Sequence, residues 1–428
     1  MTLPIVALLQ ASPPQSIVVF LVATVAKMLI IFTIYMVGVA LLTLAERKIS
    51  AWMQDRHGPN RVGKGWLQPA ADGVKNIMKE ETYPDDAYTP LFVLAPAMAF
   101  IPAMITWAVI PWGAPWDSPW GRIEMSIASL PIGFLYILAI GSIGVYGIVL
   151  AGWSSNNKYS LLGGLRSSAQ MVSYEIALGM ATIPVLLLAG NVSLNQVVEG
   201  QAGLGPLSWN VATCTLAWLV FLIAAFAETN RLPFDLPEAE SELIAGYHSE
   251  YSAMKFSLFF IAEYANMVTA SALMSTLFFG GWDIPFTSWD NVAPHSALKT
   301  LATTALFFGK TLFWVFFYMW IRWTVPRFRY DQLMALGWKL LLPAMLGYIV
   351  VMATAILLLQ RAGFAPSSLP FSGALLGLNV VIVLALLFVL DRGRIVSPAY
   401  SRLDRRNLDK LRAVTPIRRG TEAAEAGR

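Results

Sequence analysis

The stretch IVVFLVATVAKMLIIFTIYMVGVALLTLA occupies residues 17–45 and carries a single charge, Lys27, in its 29 residues. Roughly 20 residues of α-helix cross a bilayer core about 30 Å thick, so this stretch can span it and also tilt or extend beyond it. An open strand could not satisfy its backbone groups in lipid. The sequence therefore predicts a long transmembrane helix near the N-terminus.

Eight further apolar stretches follow, and together they indicate the fold class. The nine predicted spans lie near residues 17–45, 90–110, 131–151, 172–190, 209–227, 254–280, 301–321, 338–359 and 372–390. The 428-residue chain is 57% hydrophobic and 13% charged, whereas a soluble domain carries roughly 25% charged residues. We expect an all-α polytopic membrane protein of about nine transmembrane helices. This composition excludes a disordered, coiled-coil or nucleic-acid-binding protein.

The predicted spans divide the chain into seven segments and give it an orientation. The segments are an N-terminal segment with the first span (1–45), an amphipathic loop (46–89), spans two to five (90–227), an acidic loop (228–253), spans six to eight (254–359), an extra ninth span (360–390) and a basic tail (391–428). The loops after odd-numbered spans and the tail hold 23 Lys and Arg residues, against three in the loops on the other side. The positive-inside rule then places the N-terminus outside and the C-terminus in the cytoplasm.

The amphipathic loop, 46–89, is longer than a connector needs to be, and its seven basic and seven acidic residues cancel. Beyond a Gly-Pro-Asn break at 58–60, helical periodicity gives residues 67–79 one apolar and one charged face. The apolar face comprises Leu67, Ala70, Val74, Ile77 and Met78, and the charged face comprises Asp72, Lys75 and Lys79. Two interpretations stay open: a linker lying on the membrane surface, or the wall of a cavity for a lipid-soluble substrate with a polar head.

The acidic loop, 228–253, carries six acidic residues and one basic residue, Arg231, for a net charge of −5. Pro233 and Pro237 prevent a regular helix through LPFDLP. A helix starting at Glu238 would place Glu238 and Glu242 on one face, where they repel each other. A solvated acidic loop is one interpretation. The interleaved apolar residues favour partial burial, which would raise carboxylate pKa values towards neutrality.

Four charged residues lie well inside predicted spans, namely Lys27, Glu175, Glu263 and Lys310, whereas Lys255 and Lys339 stand at the ends of spans. Burying such a group costs roughly 2.5–3.5 kcal/mol or more, so these residues usually mark a pathway or a counter-ion. Carboxylates at different depths suit a proton relay, and we assign Glu175 and Glu263 that role. For Lys27, snorkelling or contact with a neighbouring subunit is an equal alternative.

Redox and metal ligands are scarce in the sequence. Cys214 is the only cysteine, which excludes an intrachain disulfide and a four-cysteine iron–sulfur site within this chain. Three histidines lie far apart in sequence, so no metal site is predicted.

Seven motifs occur in one order over about residues 16–360. They are AERK (45–48), MQDRHGPNRVG (53–63), LQPAADGVK (67–75), GGLRSSAQMVSYE (163–175), AETNRLPFDLPEAESELIAGYHSEY (227–251), AEYANM (262–267) and VPRFRYDQLMALGWK (325–339). Together they resemble the H-type membrane subunit of proton-translocating NADH:quinone oxidoreductase, respiratory complex I. This resemblance implies a subunit that joins the peripheral and membrane arms, forms the quinone-access channel and links quinone reduction to proton translocation.

The resemblance also implies roles for individual residues. Those matching the quinone channel are Glu46, Arg47, Arg56, Asp72, Lys75, Lys79, Glu80, Arg231 and Asp235. Those matching carboxylates of proton relay and coupling are Glu175, Glu228, Glu238, Glu240, Glu242, Glu250 and Glu263. The expected counter-charges to the acidic loop are Lys310, Arg322, Arg327 and Arg329, with Asp331 in the same patch. No catalytic residue is expected in this chain itself.

A member of this family would bind quinone as substrate and receive electrons from partner subunits that hold FMN and iron–sulfur clusters. Lipid and the other components of complex I are the expected partners, in a membrane that we favour as the bacterial inner membrane. The ninth span and the tail depart from the family pattern. Three alternatives stay open: the homologous subunit of a membrane-bound hydrogenase, a secondary transporter that couples through Glu263 and Lys310, and a structural adaptor.

Overall fold

The computed structural model describes residues 17–202, 205–237, 240–287, 289–365 and 368–391. In these ranges the chain forms fourteen α-helices. They are α1 (Ile17–Met53), α2 (Gln68–Met78), α3 (Thr89–Ile105), α4 (Gly133–Ser154), α5 (Lys158–Ala189), α6 (Leu194–Gln201), α7 (Asn210–Thr213), α8 (Thr215–Glu228), α9 (Glu240–Leu243), α10 (Ala253–Phe278), α11 (Ala297–Thr324), α12 (Tyr330–Ala335), α13 (Leu342–Arg361) and α14 (Leu369–Asp391). The basic tail beyond Asp391, residues 1–16 and Glu238 lie outside the described residues.

Eight helical runs in the described part of the chain are long and apolar enough to cross a membrane, and the pair α7 and α8 forms a ninth span if it is taken as one. Two of these runs include short 3₁₀ or π segments, Thr106–Val109 after α3 and Leu336–Leu341 between α12 and α13. The prediction of an all-α polytopic membrane protein with about nine spans is confirmed. Helices α3, α4, α5 and α8 pack in succession, and α10 packs on both α3 and α11.

Three element boundaries differ from the sequence prediction. Helix α1 continues past residue 45 to Met53, so the first part of the amphipathic loop is an extension of the span. Helix α5 begins at Lys158, where the Asn157 side chain accepts a hydrogen bond from Tyr159 N, whereas the predicted span starts at 172. The predicted fifth span is bent by 65° at Cys214, whose φ of −133° and ψ of 48° are not helical.

A two-stranded antiparallel hairpin joins α3 to α4 and was not predicted. Strands β1 (Gly113–Ser118) and β2 (Gly121–Met125) pair with Trp116 opposite Ile123. Lys27 of α1 donates to the backbone oxygens of Glu124 and Ser126 at 3.0 and 2.6 Å. The charged side chain of Lys27 therefore holds the hairpin to α1. This contact within the chain differs from snorkelling and from contact with a neighbouring subunit.

The second half of the acidic loop is seated directly on α5. Its 3₁₀ turn, Gly246–His248, approaches Gly163 so closely that a Cβ there would lie 2.7 Å from Tyr247 N. Glycine at 163 is therefore required for this backbone contact. The contact holds the acidic loop against the first turns of α5.

The chain divides into two compact units, Met1–Val380 and Val381–Arg428. The first contains every element up to the middle of α14. The described part of the second is the remainder of that helix, ending at Asp391.

Candidate functional site

The carboxylate of Glu46, near the end of α1, is contacted by three side chains. Arg322 of α11 pairs with Oε1, and the hydroxyl of Tyr264 of α10 donates to Oε2. Arg231 reaches the same carboxylate with Nη1 at 3.4 Å from Oε2. One buried carboxylate thus joins α1, α10, α11 and the acidic loop.

Arg231 also contacts a second buried carboxylate. Its Nε lies 2.7 Å from Oε1 of Glu263, and its Cζ lies 4.2 Å from the centroid of the Tyr264 ring. Glu46 and Arg231 are only 5% and 3% exposed. We call Glu46, Arg231, Glu263, Tyr264 and Arg322 the charge cluster. Its two acidic and two basic charges cancel, as buried charges generally must.

The backbone of residues 229–237 brings Arg231 back under the helices. The two prolines exclude a helix here, and Asn230 adopts a φ of +51° just after α8 ends. Gln170 of α5 holds this turn, because its amide donates to Ala227 O and Phe234 O, both at 2.8 Å. An arginine in an irregular loop is thereby fixed against three transmembrane helices.

Asp235 lies beside the charge cluster, and its Oδ2 is 3.1 Å from Nη2 of Arg327. Burial raises the pKa of Asp235 to about 6, with a further upward influence from Glu263, while the Arg327 guanidinium lowers it. This carboxylate would therefore exchange a proton close to neutral pH.

Two buried polar atoms near the cluster, Arg231 Nη2 and Asp235 Oδ1, have no hydrogen-bond partner among the described residues. Buried polar atoms in proteins are nearly always paired with protein or water. The unpaired atoms therefore indicate where water or a polar ligand group would bind.

A cavity of about 90 Å³ begins at Glu263 and is also lined by Glu228 and Asn266. That volume holds several water molecules. Glu228, the last residue of α8, is close enough to Glu175 of α5 for an electrostatic interaction, and Glu175 accepts a hydrogen bond from Ser142. Three carboxylates from three helices thus follow one another from the charge cluster into the bundle.

An apolar groove lies between α1, α10 and α11. Its lining residues include Ile34, Gly38, Leu41, Ala45, Val268 and Phe308, with Trp107 of the 3₁₀ segment after α3. Ala45 is the last residue of α1 in this lining, and it directly precedes Glu46 in the chain. One end of the groove therefore lies one residue from the charge cluster along α1.

The charged residues of the amphipathic loop form a separate group on the surface. Asp72 of α2 lies 2.8 Å from Nη1 of Arg47 and 4.0 Å from Nζ of Lys75. Arg56 donates to Gln54, whereas Lys79 and Glu80 are exposed. The apolar face of α2 is also exposed, with Ile77 67% and Met78 80% accessible, so this amphipathic face has no cover from the described residues.

Two further acidic residues that were predicted for coupling pair with residues outside the cluster. Glu242 pairs with Arg166 at 2.8 Å, and Glu250 accepts from Asn157 Nδ2 at 2.6 Å. Glu240 begins α9, and Glu238 lies outside the described residues. The acidic loop is therefore tied to α5 as well as to the cluster.

Among the expected counter-charges, Arg322 and Arg327 face acidic residues, whereas Arg329 caps α12 through Gln332 and Asp331 is exposed. Lys310 does not face the acidic loop. Its Nζ donates to the backbone oxygens of Phe279, Gly281 and Asp283 at 2.7–3.0 Å. These oxygens belong to the turn that follows α10, so Lys310 of α11 supplies donors to backbone carbonyls outside any helix.

Sequence reasoning missed several residues that hold the site. Tyr264 follows Glu263 directly in AEYANM, and Gln170 lies in a motif already noted. Lys255 was placed only at the end of a span, yet its Nζ lies 2.5 Å from both Glu81 Oε2 and Tyr83 OH. Motif membership could have drawn attention to the first two, but no local pattern predicts their partners.

Known proteins provide an independent comparison with this arrangement. A profile of the NADH dehydrogenase family matches residues 26–353. The H-type subunit of NADH-quinone oxidoreductase from Cytophaga hutchinsonii is 47% identical over 329 residues, which make up 77% of this chain and 95% of the relative. Its counterpart from Flavobacterium johnsoniae is 47% identical over 345 residues, which make up 80% of this chain and 97% of that relative. The chain belongs to the H-type subunit family of NADH-quinone oxidoreductase.

The H-type subunit from Leptospira biflexa is also 47% identical, over 341 residues. The residues matched by the family profile include the whole charge cluster, Asp235 and the carboxylates of the cavity. Helix α14 lies beyond them. The family resemblance found in the sequence is confirmed, and the chain is a multi-pass membrane subunit of an oxidoreductase.

Proposed function

We propose that this subunit forms the path by which a quinone leaves the bilayer and reaches the charge cluster, and that it transmits the charge changes of quinone reduction to carboxylates within the membrane. The observation that carries the proposal is the apolar groove along α1, which ends at Ala45 beside Glu46. A quinone combines an oily tail with a polar ring, and this groove offers an apolar surface followed by polar groups.

The chemistry near the groove's end suits a quinone ring. Reduction adds two electrons and two protons to the quinone and yields a quinol. Electrons come from partner subunits with iron–sulfur clusters and FMN, because this chain has one cysteine and it is buried. The unpaired Nη2 of Arg231 is a donor of the kind a quinone oxygen accepts.

Proton coupling follows from the carboxylates behind the cluster. A change of charge near Glu46 alters the energy of protonating Glu263, since the two share Arg231 and lie in a region of low dielectric. Water in the cavity would then connect Glu263 to Glu228, and Glu228 interacts electrostatically with Glu175. We propose that changes in protonation pass from the quinone site into the membrane arm through Glu263, Glu228 and Glu175, in that order.

Assembly with the other components of complex I belongs to the same proposal. We place the N-terminus outside and the C-terminus in the cytoplasm of a bacterial inner membrane, as the distribution of Lys and Arg favours. The exposed apolar face of α2 then lies at the cytoplasmic membrane surface.

Narrowing the groove tests the access path. Gly38 lines it, and no atom lies within 4 Å of a Cβ placed there, so the Cβ of Gly38→Phe meets no neighbour and its ring enters the groove. The expected result is a higher KM for a long-tailed quinone with little change for a tailless analogue. The matched control is Gly309→Phe, since Gly309 also has open space but does not line the groove.

NADH oxidation by an artificial water-soluble acceptor reports assembly in both variants, because it bypasses the quinone. Equal KM values for the long-tailed quinone in Gly38→Phe and Gly309→Phe would remove the groove from the access path. Glu46→Gln tests the charge cluster separately. Quinone-linked turnover should fall while the artificial-acceptor activity persists, and full quinone-linked turnover in the assembled variant would refute the role of Glu46.

A further inference from the structure

The bent span formed by α7 and α8 leaves backbone carbonyls without helical partners. In a continuous helix the oxygens of Val211, Ala212 and Thr213 would accept bonds from the amides four residues later. The 65° bend at Cys214 disrupts that ladder. Unsatisfied carbonyls are costly inside a membrane, so a broken span needs other donors at this point.

Side chains supply these donors. The hydroxyl of Thr215 lies 2.9 Å from Val211 O and 3.2 Å from Ala212 O, so these two carbonyls share its single hydrogen. The third donor comes from α14. Nδ2 of Asn379 donates to Thr213 O at 2.6 Å.

Asn379 is fully buried and its amide is well satisfied. Nδ2 also donates to Leu375 O of its own helix at 2.9 Å, and Oδ1 accepts from the hydroxyl of Tyr348 on α13 at 2.6 Å. Phe371 and Leu375, on earlier turns of α14, are 2% and 0% exposed. The first half of α14 therefore presents one buried face, and its polar residue Asn379 lies where the break needs a donor.

Helix α14 is an addition to the family's matched region. The family profile ends at residue 353, before α14 begins. The relative from Cytophaga hutchinsonii is covered over 95% of its own length by only 77% of this chain. The donor at the break thus comes from a segment outside the region that defines the family.

We propose that α14 is an intramolecular partner for the bent span: it covers the break at Cys214, supplies the donor for Thr213 O through Asn379, and closes this face of the subunit to any other transmembrane helix. The outer half of the span is held independently, because Asn210 donates to Leu277 O of α10 at 2.8 Å. Asn379 therefore secures the junction with α8. The inference does not depend on the path taken by quinone.

Cys214 provides a built-in reporter of this contact. It is the only cysteine of the chain, it lies at the break, and it is 0% exposed. In membranes containing the whole complex, a membrane-permeant maleimide should label Cys214 slowly while α14 is seated. Mass spectrometry of the peptide that contains Cys214 measures the rate separately from cysteines of other subunits.

Asn379→Leu keeps the size of the side chain and removes both hydrogen-bonding groups. We expect labelling of Cys214 to become about tenfold faster, the factor that one to two interhelical hydrogen bonds in a membrane support. Asn379→Gln, which retains the amide, should restore part of the protection. The control is Val380→Ala, since Val380 is the next residue and is 50% exposed.

Unchanged labelling in Asn379→Leu would overturn the proposal. If that variant does not accumulate, Tyr348→Phe decides in its place, because it removes the hydroxyl that donates to Asn379 Oδ1. That hydroxyl also contacts the Cys214 thiol, so amide hydrogen exchange of residues 214–218 replaces labelling as the measurement for this variant. Faster exchange in Tyr348→Phe than in Val380→Ala supports the contact, and equal rates refute it.

Discussion

Nε of Arg231 lies 2.7 Å from Oε1 of Glu263, while Nη1 of the same guanidinium lies 3.4 Å from Oε2 of Glu46. One loop arginine therefore bridges a carboxylate of α1 and a carboxylate of α10. Arg231 is 3% exposed, so its positive charge is balanced by these carboxylates rather than by bulk solvent. The Arg231 bridge thus links the charge of Glu46 to that of Glu263.

Replacing Arg231 by Gln should damage both stability and quinone-linked turnover. Removing one partner of a buried ion pair typically costs about 3–5 kcal/mol, because the remaining charge stays buried. Arg231→Lys, which keeps the charge and loses the planar fork, should be intermediate. The amount of assembled complex in detergent-extracted membranes reports the loss of stability. The rate of NADH-driven quinone reduction reports the loss of quinone-linked turnover. A fully assembled, fully active Arg231→Gln enzyme would contradict the bridge.

Asp235 should produce an acid limb in the pH profile of quinone-linked activity. Its pKa of about 6 means that the ion pair with Arg327 weakens as the pH falls through 6. Activity should decline over that range. Arg327→Gln removes the influence that lowers this pKa, so its acid limb should move to higher pH.

Asp235→Asn is the matched control, because it cannot titrate and should lack the limb altogether. The free energy of unfolding should change with pH in the direction opposite to activity. The pKa of Asp235 is higher in the folded chain than in the unfolded chain, so ionising this group costs stability as the pH rises from about 4 to 6. A profile that is identical in all three proteins would exclude Asp235 as the titrating group.

In the proposed relay Glu228 stands between Glu263 and Glu175, so Glu228→Gln should interrupt proton movement along the carboxylates. A positioned acid–base group contributes about 10²–10⁴-fold to rate, and we expect a loss of turnover at the lower end of that range. Glu228→Asp should retain more activity. Glu199→Gln on α6 serves as control, because Glu199 does not line this cavity. Proton uptake by inverted vesicles and quinone reduction are measured together; equal values for Glu228→Gln and Glu199→Gln would disprove the relay position.

Lys255 should hold the segment after α2 against the start of α10. Its Nζ contacts Glu81 and Tyr83, and Ser252 binds the neighbouring Thr82. Hydrogen bonding to Lys255 is the main cause that lowers the pKa of Glu81. Because Glu81 is partly exposed, Lys255→Met should change stability by only about 1 kcal/mol or less.

The larger effect of Lys255→Met should be local. Amide hydrogen exchange of residues 81–83 should become faster, while exchange in α13 stays the same. Glu81→Gln is the milder comparison, because Tyr83 still contacts Lys255. If exchange of residues 81–83 is unchanged in Lys255→Met, the contact does not order this segment.

The sequence predicts the spans well because hydropathy is a local property. The sequence predicts the ends of the helices less well where charged residues belong to the helix beyond its apolar stretch. Glu46 and Arg47 suggest a loop, yet α1 continues because Glu46 is paired with Arg231 and Arg322. The early start of α5 has a similar cause, since Arg166 is paired with Glu242.

Pairing across the bundle is the part of the site that sequence periodicity cannot predict. Asp235 and Arg327 come together only after the intervening helices pack, and Lys310 has its carbonyl partners because α10 ends beside α11. The hairpin and the break at Cys214 are short and irregular. Hydropathy averaged over a span-length stretch of sequence hides them, so the hairpin is predicted as part of a connector and the break as part of a span. The motif resemblance singled out Glu46, Arg231 and Glu263, which the folded chain brings together, whereas the pairing between them is visible only in the structure.

Helix α1 is fastened by polar contacts at three points along its length. Lys27 binds the hairpin, the Tyr35 hydroxyl binds Ala265 O at 2.6 Å, and Glu46 binds the charge cluster. A slide of one helical turn moves a side chain about 5.4 Å and would break all three contacts together. The axial register of α1 is thus locked, and any widening of the groove must come from neighbouring helices swinging away from it.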